Sequence, residues 1–184
     1  MNPDTVRQDE SQVFERKKSL ALQREGIESL CGMVNSEAAS GVVAFGVAPD
    51  GQVVGVEPGN LDKAQRSLAQ TISAKFDPPI QVTIDVVDCD GIAVIVISAH
   101  RHRGVPYHEF DGRAFIREGI TTRQLSLREK QALEWQRNRD SHNGPWRCER
   151  CGSFAGMLSQ LVVGPNGITK SYKCDCGGEY WPAA

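Results

Sequence analysis

Four of the six cysteines lie within the last 37 residues and are spaced for metal binding. Cys148 and Cys151 form a C-x-x-C-G sequence, Cys174 and Cys176 form a C-x-C-G-G sequence, and 22 residues separate the two pairs. Two such turns can hold one tetrahedral zinc ion, and the adjacent glycines relax the backbone where it turns toward the metal. Because four thiolates leave no open position for water, the pattern predicts a structural rather than a catalytic Zn²⁺.

Two short basic clusters are candidates for phosphate contacts. They are Arg16, Lys17 and Lys18, and Arg101, His102 and Arg103. Each cluster could donate hydrogen bonds to phosphates, or it could form an ordinary solvated rim. The second cluster follows the strongly apolar segment 92–98, at a place where loops often carry functional residues. His100 and His102 share one face if that strand continues, which is compatible with weak metal binding or with a solvated loop.

Three further donors lie around a glycine turn near residue 119. Arg117, Thr121 and Thr122 could hold a phosphate through hydroxyls and backbone N–H groups. The alternative for Arg117 is a buried ion pair with a carboxylate of the sheet. Both interpretations remain open from the sequence.

Charge and hydropathy exclude several classes of protein. The 184 residues carry a formal net charge of −2, so a nucleic-acid contact must come from a local patch rather than a global field. No segment approaches the roughly 18 apolar residues of a membrane span. The polar N-terminal sequence has no apolar signal core, so we expect a cytoplasmic protein without membrane contact. Cys31 and Cys89 lie among apolar residues and are interpreted as packing residues.

The hydrophobic pattern predicts alternating helices and strands. Ile27, Leu30 and Val34 recur at helical spacing, whereas residues 92–98 are largely β-branched and are typical of a central strand. Ser126 and Glu129 form a capping box at the start of a helix. Helices are predicted at residues 22–34, 61–76 and 126–139, and strands at 11–18, 42–47, 52–56, 80–87, 92–98 and 113–117.

These elements predict an α+β fold with a mixed or antiparallel sheet, several hairpins and packed helices, followed by a small four-cysteine zinc ribbon. The predicted organisation has four parts. They are a flexible lead-in at residues 1–9, an α+β domain at 10–139, a linker at 140–145 and the zinc ribbon at 146–184.

Four segments of the α+β region resemble the AlbA-like domain of Schlafen-type proteins. Residues 10–17 (ESQVFERK) are similar to the family's opening E-S-x-x-x-E-F-K, and residues 50–55 (DGQVVG) to its D-G-x-I-x-G. Residues 41–47 (GVVAFGV), after Asn35, are similar to N-T-x-G-G-x-L-x-I-G-V, with two extra residues in between and Ser40 in place of a glycine. Residues 115–122 (FIREGITT) are similar to Y-I-R-x-G-S-x-T.

The resemblance implies nucleic-acid binding, to DNA or RNA. It also implies an alternative, because some Schlafen proteins cut RNA with three carboxylates and a divalent metal. Glu10 and Glu15 match two of these carboxylates, and the third position matches Pro49, so Asp50 could substitute only if the turn shifts. Such a nuclease would use Mg²⁺ or Mn²⁺, which prefer oxygen ligands. The alternatives for Glu10 and Glu15 are solvated charges, or pairing of Glu15 with Lys17.

Three functions therefore follow from the sequence. We expect first a nucleic-acid-binding protein, second a metal-dependent endoribonuclease, and third an adaptor that binds a protein partner through the zinc ribbon. An ATPase is disfavoured, because the sequence contains no G-x-x-x-x-G-K-[ST] loop. Larger family members carry two such domains around one substrate, so the resemblance also implies that this chain forms a homodimer.

Overall fold

The computed structural model describes residues 3–102, 105–141, 158–164, 167–173 and 179–180, with side chains described through residue 137 except at residue 58. The helices are α1 (Asp4–Arg7), α2 (Gln23–Asn35), α3 (Leu61–Lys75) and α4 (Leu127–Ser141). The strands are β1 (Phe14–Lys17), β2 (Ser40–Phe45), β3 (Phe76–Asp77), β4 (Gln81–Cys89), β5 (Ile92–His100), β6 (Glu109–Phe110), β7 (Phe115–Glu118), β8 (Thr121–Gln124), β9 (Leu158–Gly164), β10 (Gly167–Lys173) and β11 (Glu179–Tyr180).

The chain divides into two compact units, Met1–Gln131 and Ala132–Ala184. The division falls inside α4, whereas the sequence placed the end of the first domain at residue 139 and a linker at 140–145. The helical pattern of α4 continues across the division, so the sequence offered no composition change by which to place it.

A four-stranded sheet with the order β1-β2-β5-β4 forms the centre of the first unit. β1 runs parallel to β2, and the β2–β5 and β5–β4 pairs are antiparallel. This mixed α+β sheet confirms the predicted fold class, and β5 occupies the internal position that its β-branched residues indicated. The hairpin between β4 and β5 turns at Asp90 and Gly91, whose φ angles of 59° and 84° fit a two-residue type I′ turn.

One face of this sheet packs against α2 and α3. The core on this side contains Ile27 and Leu30 of α2, Leu68 of α3 and Ile95 and Ile97 of β5, all fully buried. A Cβ atom at Gly26 would lie 2.6 Å from the ring of Phe45, so glycine permits the close approach of α2 to β2.

The opposite face carries a second, smaller core at one end. Val6 of α1 and Phe14 are both fully buried, and they pack with apolar residues of β2, β4 and β5. The sequence predicted a flexible lead-in at residues 1–9, but residues 4–7 form a helical turn that covers this core. Because Val6 is its one buried side chain, this short helix has no hydrophobic periodicity from which it could be predicted.

The strand predicted at residues 52–56 is not formed, so this prediction is wrong. Only Val53 makes an isolated bridge, to Val47. The backbone instead folds tightly, since the N–H groups of Val54 and Gly55 both donate to the carbonyl oxygen of Gly46. Gly46 and Gly55 have positive φ angles of 104° and 78°, which interrupt the extended conformation that a hairpin strand requires.

The predicted N-terminus of α4 is confirmed in detail. Ser126 Oγ accepts the backbone N–H of Glu129 at 3.3 Å, and Glu129 Oε2 accepts the backbone N–H of Ser126 at 2.8 Å. This is the reciprocal capping box that the sequence indicated. The short strand β8 was not predicted, because residues 121–124 are polar throughout and pair only with β7.

In the second unit, β9, β10 and β11 form an antiparallel sheet with the order β11-β10-β9. The hairpin β9–β10 lies in sequence between the two cysteine pairs. The four predicted zinc ligands Cys148, Cys151, Cys174 and Cys176 lie outside the described residues, so the zinc ribbon stays a prediction. Among the described residues, no helix combines the length and apolar character needed to cross a membrane.

Candidate nucleic-acid interface

Glu15 lies inside an ion-pair network rather than on an open surface. It pairs with Val43 in the β1–β2 register, which directs it to the same face as α2. Its carboxylate lies 2.6 Å from Nη2 of Arg117 and 2.6 Å from Nζ of Lys17, and its side chain is 9% exposed. These three residues form what we call the Glu15 network.

Arg117 is the most buried member of the Glu15 network, with 1% of its side chain exposed. Its Nε donates to the carbonyl oxygen of Ser11 at 2.9 Å, and its Nη1 donates to Thr122 Oγ1 at 3.2 Å. Arg117 therefore makes the buried ion pair with a sheet carboxylate that the sequence left open as an alternative. Thr122 is half-buried beside it, whereas Thr121 is exposed.

The other two predicted catalytic carboxylates have separate partners. Glu10 Oε1 accepts the backbone N–H of Arg16 at 3.1 Å, and the exposed Asp50 accepts the backbone N–H of Gln52 at 3.0 Å. Within the residues whose side chains are described, no three His, Cys, Asp or Glu side chains are grouped to hold a metal. The structure thus does not bring Glu10, Glu15 and Asp50 into one cluster, and their catalytic role stays a prediction.

The first basic cluster is largely engaged within the domain. Arg16 is 5% exposed, and its guanidinium donates to the carbonyl oxygens of Pro49 at 3.1 Å and Arg7 at 3.2 Å. It thereby fastens the N-terminal segment to the sheet. Lys17 belongs to the Glu15 network, so Lys18 is the exposed residue of this cluster.

The second basic cluster lies at the end of β5. Arg101 Nη1 donates to the carbonyl oxygens of Val34 at 3.1 Å and Ser36 at 3.0 Å, so its guanidinium caps the C-terminus of α2. Burial lowers the pKa of Arg101 from its ordinary value. His102 is exposed, and Arg103 lies outside the described residues.

A cleft of about 460 Å³ adjoins this second cluster. Its lining residues come from the start of β4 and the end of β5. They are Gln81, Val82, Thr83, Ser98, His100, Arg101 and His102. Sequence reasoning missed Gln81, Thr83 and Ser98, because isolated polar residues in an alternating strand look like ordinary solvent-facing positions.

Asn35 and His108 join α2 to the segment before β6. Asn35 Oδ1 accepts the His108 backbone N–H at 2.8 Å, and Asn35 Nδ2 donates to the carbonyl oxygens of His108 at 2.8 Å and Phe115 at 2.9 Å. His108 is fully buried with its Nδ1 2.8 Å from the carbonyl oxygen of Pro78, and burial lowers the pKa of its imidazole. Burial raises the pKa of the neighbouring Cys31 thiol to about 12. Because the thiolate is the reactive form of cysteine, Cys31 acts as a packing residue, as predicted.

A comparison with protein families finds one match, to the family model described as Schlafen, AlbA_2, over residues 10–126. The solved structures that are similar to this chain include two bacterial proteins. One is the N-terminal domain of a RecG-related protein from Nitrosomonas europaea, with 18% identity and a TM-score of 0.47, covering 69% of this chain and 95% of that one. The other is the DIP2311 protein from Corynebacterium diphtheriae, with 15% identity and a TM-score of 0.48, covering 83% of this chain and 30% of that one. No curated protein matches the sequence significantly.

Proposed function

The chain belongs to the Schlafen AlbA_2 family, and we propose that its first compact unit binds nucleic acid without cleaving it at a metal centre. The family match covers most of this unit, including the sheet, α2 and α3. Nucleic-acid binding is the function that the resemblance of the sequence motifs implies. The geometry of the carboxylates supports binding over metal-dependent cleavage.

The observation that carries this choice is the engagement of Glu15. A nuclease of the proposed alternative type needs carboxylate oxygens that are free to ligate Mg²⁺ or Mn²⁺. Both oxygens of Glu15 already lie 2.6 Å from a cationic nitrogen, one from Arg117 and one from Lys17. Withdrawing Glu15 to a metal would leave the buried Arg117 guanidinium without its counter-charge, which is costly.

Nucleic-acid contact by this protein depends on local donors, because the chain as a whole is slightly acidic. Among the described residues, the exposed members of the predicted set are Lys18 and Thr121, and the exposed His102 lies in the second basic cluster. Contacts to phosphates release bound counterions, so affinity should fall as salt rises.

A mobility-shift assay with labelled transfer RNA, single-stranded DNA and duplex DNA tests the proposal, with Mg²⁺ or Mn²⁺ present and with EDTA. We expect a salt-dependent shift of at least one nucleic acid and no cleavage with either metal. Lys18→Ala should weaken the shift, whereas Lys63→Ala, an exposed lysine on α3, serves as the matched control.

Cleavage that disappears in EDTA and in a folded Glu15→Gln variant would overturn the proposal in favour of the endoribonuclease. The absence of any shift at low salt would also overturn it and would leave the protein-binding adaptor. Light scattering on the same samples tests the proposed homodimer, which a mass near 20.2 kDa would contradict.

We also propose that the second unit binds one structural Zn²⁺ through its four clustered cysteines. The antiparallel pair β9–β10 supports this, because its two strands lie in sequence between the two cysteine pairs. Elemental analysis of the purified chain should give one zinc per chain. Cys148→Ser should lose the metal, and Cys31→Ser should retain it. A metal-free wild-type chain would contradict the proposal.

A further inference from the structure

The face of the central sheet that carries α1 has two ends of opposite character. In the strand register, Thr83 and Ser98 are partners, and so are Gln81 and His100. These four residues share a face with Val87 and Cys89 of β4 and with Val94 and Val96 of β5, because side chains alternate along a strand. The apolar end is covered by Val6 and Phe14, whereas the polar end opens into the 460 Å³ cleft.

The cleft contains hydrogen-bonding groups that are not used within the described part of the chain. The side chains of Gln81, Thr83, Ser98, His100 and His102 make no hydrogen bond or ion pair with any described residue. No carboxylate lines the cleft, and Asp85, the next side chain on this face of β4, lies outside it. An amide, two hydroxyls and two imidazoles can all donate hydrogen bonds, so the cleft is suited to an anion.

The positions of these donors are set by the backbone of two regular strands. β4 and β5 pair without a register shift from Gln81 to Cys89, and the N–H of Arg101 donates to the carbonyl oxygen of Ala39 at 2.8 Å. The Arg101 guanidinium also donates hydrogen bonds to carbonyl groups at the C-terminus of α2. It therefore offsets the partial negative charge of that helix end, which would otherwise repel an anion nearby.

The shape and chemistry of the cleft favour a single nucleic-acid strand over a duplex. A volume of about 460 Å³ accommodates a ligand of nucleotide size. Exposed imidazole rings can stack on a base only when that base is unpaired and turned outward, as it is in a single strand. Hydroxyl and amide donors beside the rings match the oxygens of the adjoining phosphodiester.

We propose that this cleft binds one nucleotide of a single-stranded nucleic acid, with His100 and His102 contacting the base or its phosphate and Gln81, Thr83 and Ser98 donating to the phosphodiester. The assignment rests on the proposed function and names the place and the kind of nucleic acid. It adds to the predicted contacts a polar surface at the end of two strands.

Imidazole NMR spectra of the full chain, titrated with a twelve-nucleotide single-stranded RNA and its DNA counterpart, test this assignment. We expect the signals of His100 and His102 to shift and the signal of the buried His108 to stay unchanged. In fluorescence anisotropy, His100→Ala/His102→Ala should weaken binding about tenfold or more, the loss of one stacked base. Gln70→Ala/Ser73→Ala, on the exposed side of α3, should bind like the wild type.

Tight oligonucleotide binding with unshifted imidazoles and an unaffected double histidine variant would overturn the assignment and leave the proposed function intact. A preference for duplex over single strand would overturn it as well. If no nucleic acid binds, the proposed function fails, and inorganic phosphate then provides the remaining probe. Imidazole shifts with phosphate alone would retain an anion site but remove single-stranded nucleic acid as its ligand, and no shifts would remove the site.

Discussion

The two faces of the central sheet both carry polar side chains, but the Glu15 network on one face is paired, whereas the side chains that line the cleft at one end of the other face are not. On the helix-covered face, the Glu15 carboxylate is enclosed by Arg117 and Lys17 at 2.6 Å each. On the opposite face, Thr83, Ser98 and His100 line a cleft without partners among the described residues. Glu15, one of the acidic residues that a catalytic motif indicated, is thus paired inside the domain, whereas less conspicuous donors face a ligand-sized space.

Burial and pairing therefore indicate the role of a polar residue more reliably than its residue type does. A buried charge needs a counter-charge to offset its lost hydration, so it is not available to bind a ligand. An exposed donor remains hydrated and can exchange water for a ligand at small cost. Four substitutions test whether the two faces differ as described.

The largest effect is expected for Arg117→Met, which removes the centre of the Glu15 network. The variant leaves the buried Glu15 carboxylate with Lys17 alone, so the free energy of unfolding should fall by roughly 3–5 kcal/mol. Urea denaturation followed by circular dichroism measures it. Arg113→Met, at an exposed position, should change stability by about 0.5 kcal/mol or less. Equal effects from the two variants would show that the Glu15 network does not stabilise this face of the sheet.

Asn35→Ala should destabilise the same side of the sheet by about 3 kcal/mol. It would leave the N–H of His108 and the carbonyl groups of His108 and Phe115 buried without the side-chain partner that each now has. The same denaturation experiment applies, with the exposed Asn60→Ala as control. A loss below about 0.5 kcal/mol would show that this buried polar junction is not needed for the fold.

Val6→Ala tests whether α1 closes the apolar end of the cleft-bearing face. Because Val6 is fully buried, loss of its two methyl groups should cost about 1–2 kcal/mol. Val13→Ala removes the same groups from a side chain that is 38% exposed, and it should cost less than half as much. Similar losses of unfolding free energy from both variants would support the flexible lead-in that the sequence predicted at residues 1–9.

The smallest effect is a pH dependence of stability that arises from the buried His108. Burial lowers the pKa of His108 from 6.5, so on acidification the unfolded chain binds more protons than the folded chain. The stability that the neutral His108 contributes is therefore present above pH 6.5, and it is lost as the pH falls below that value. Denaturation between about pH 7.5 and pH 5.5 should show a shallower dependence in His108→Gln. An unchanged slope in His108→Gln would contradict this assignment.

Much of the secondary structure could be predicted because its signals are local. The spacing of Ile27, Leu30 and Val34 indicated α2, and the capping box at Ser126 indicated the start of α4; both elements are observed. Failures occurred where tertiary contacts override local preference. Residues 52–56 alternate like a strand, yet the hydrogen bonds from Val54 and Gly55 to Gly46 prevent them from extending.

The candidate site was less predictable than the fold. The sequence identified the end of β5 as a basic, loop-proximal segment, and the cleft does lie there. It assigned phosphate contacts to Arg16, Arg101 and Arg117, whose guanidinium groups all donate within the domain. Nothing in the local pattern distinguishes an arginine that will be buried from one that will face solvent.

The α+β class and the positions of α2, α3, β4 and β5 follow from the sequence alone, because periodicity, caps and turns act over a few residues, and the family follows from its motifs. Which charges neutralise each other and where the unpaired donors meet depend on the tertiary structure. Those outcomes depend on strands and helices distant in sequence: β1 with β7 at the Glu15 network, and the start of β4 with the end of β5 at the cleft. Burial, and with it the cost of an unpaired charge, is set by that assembly.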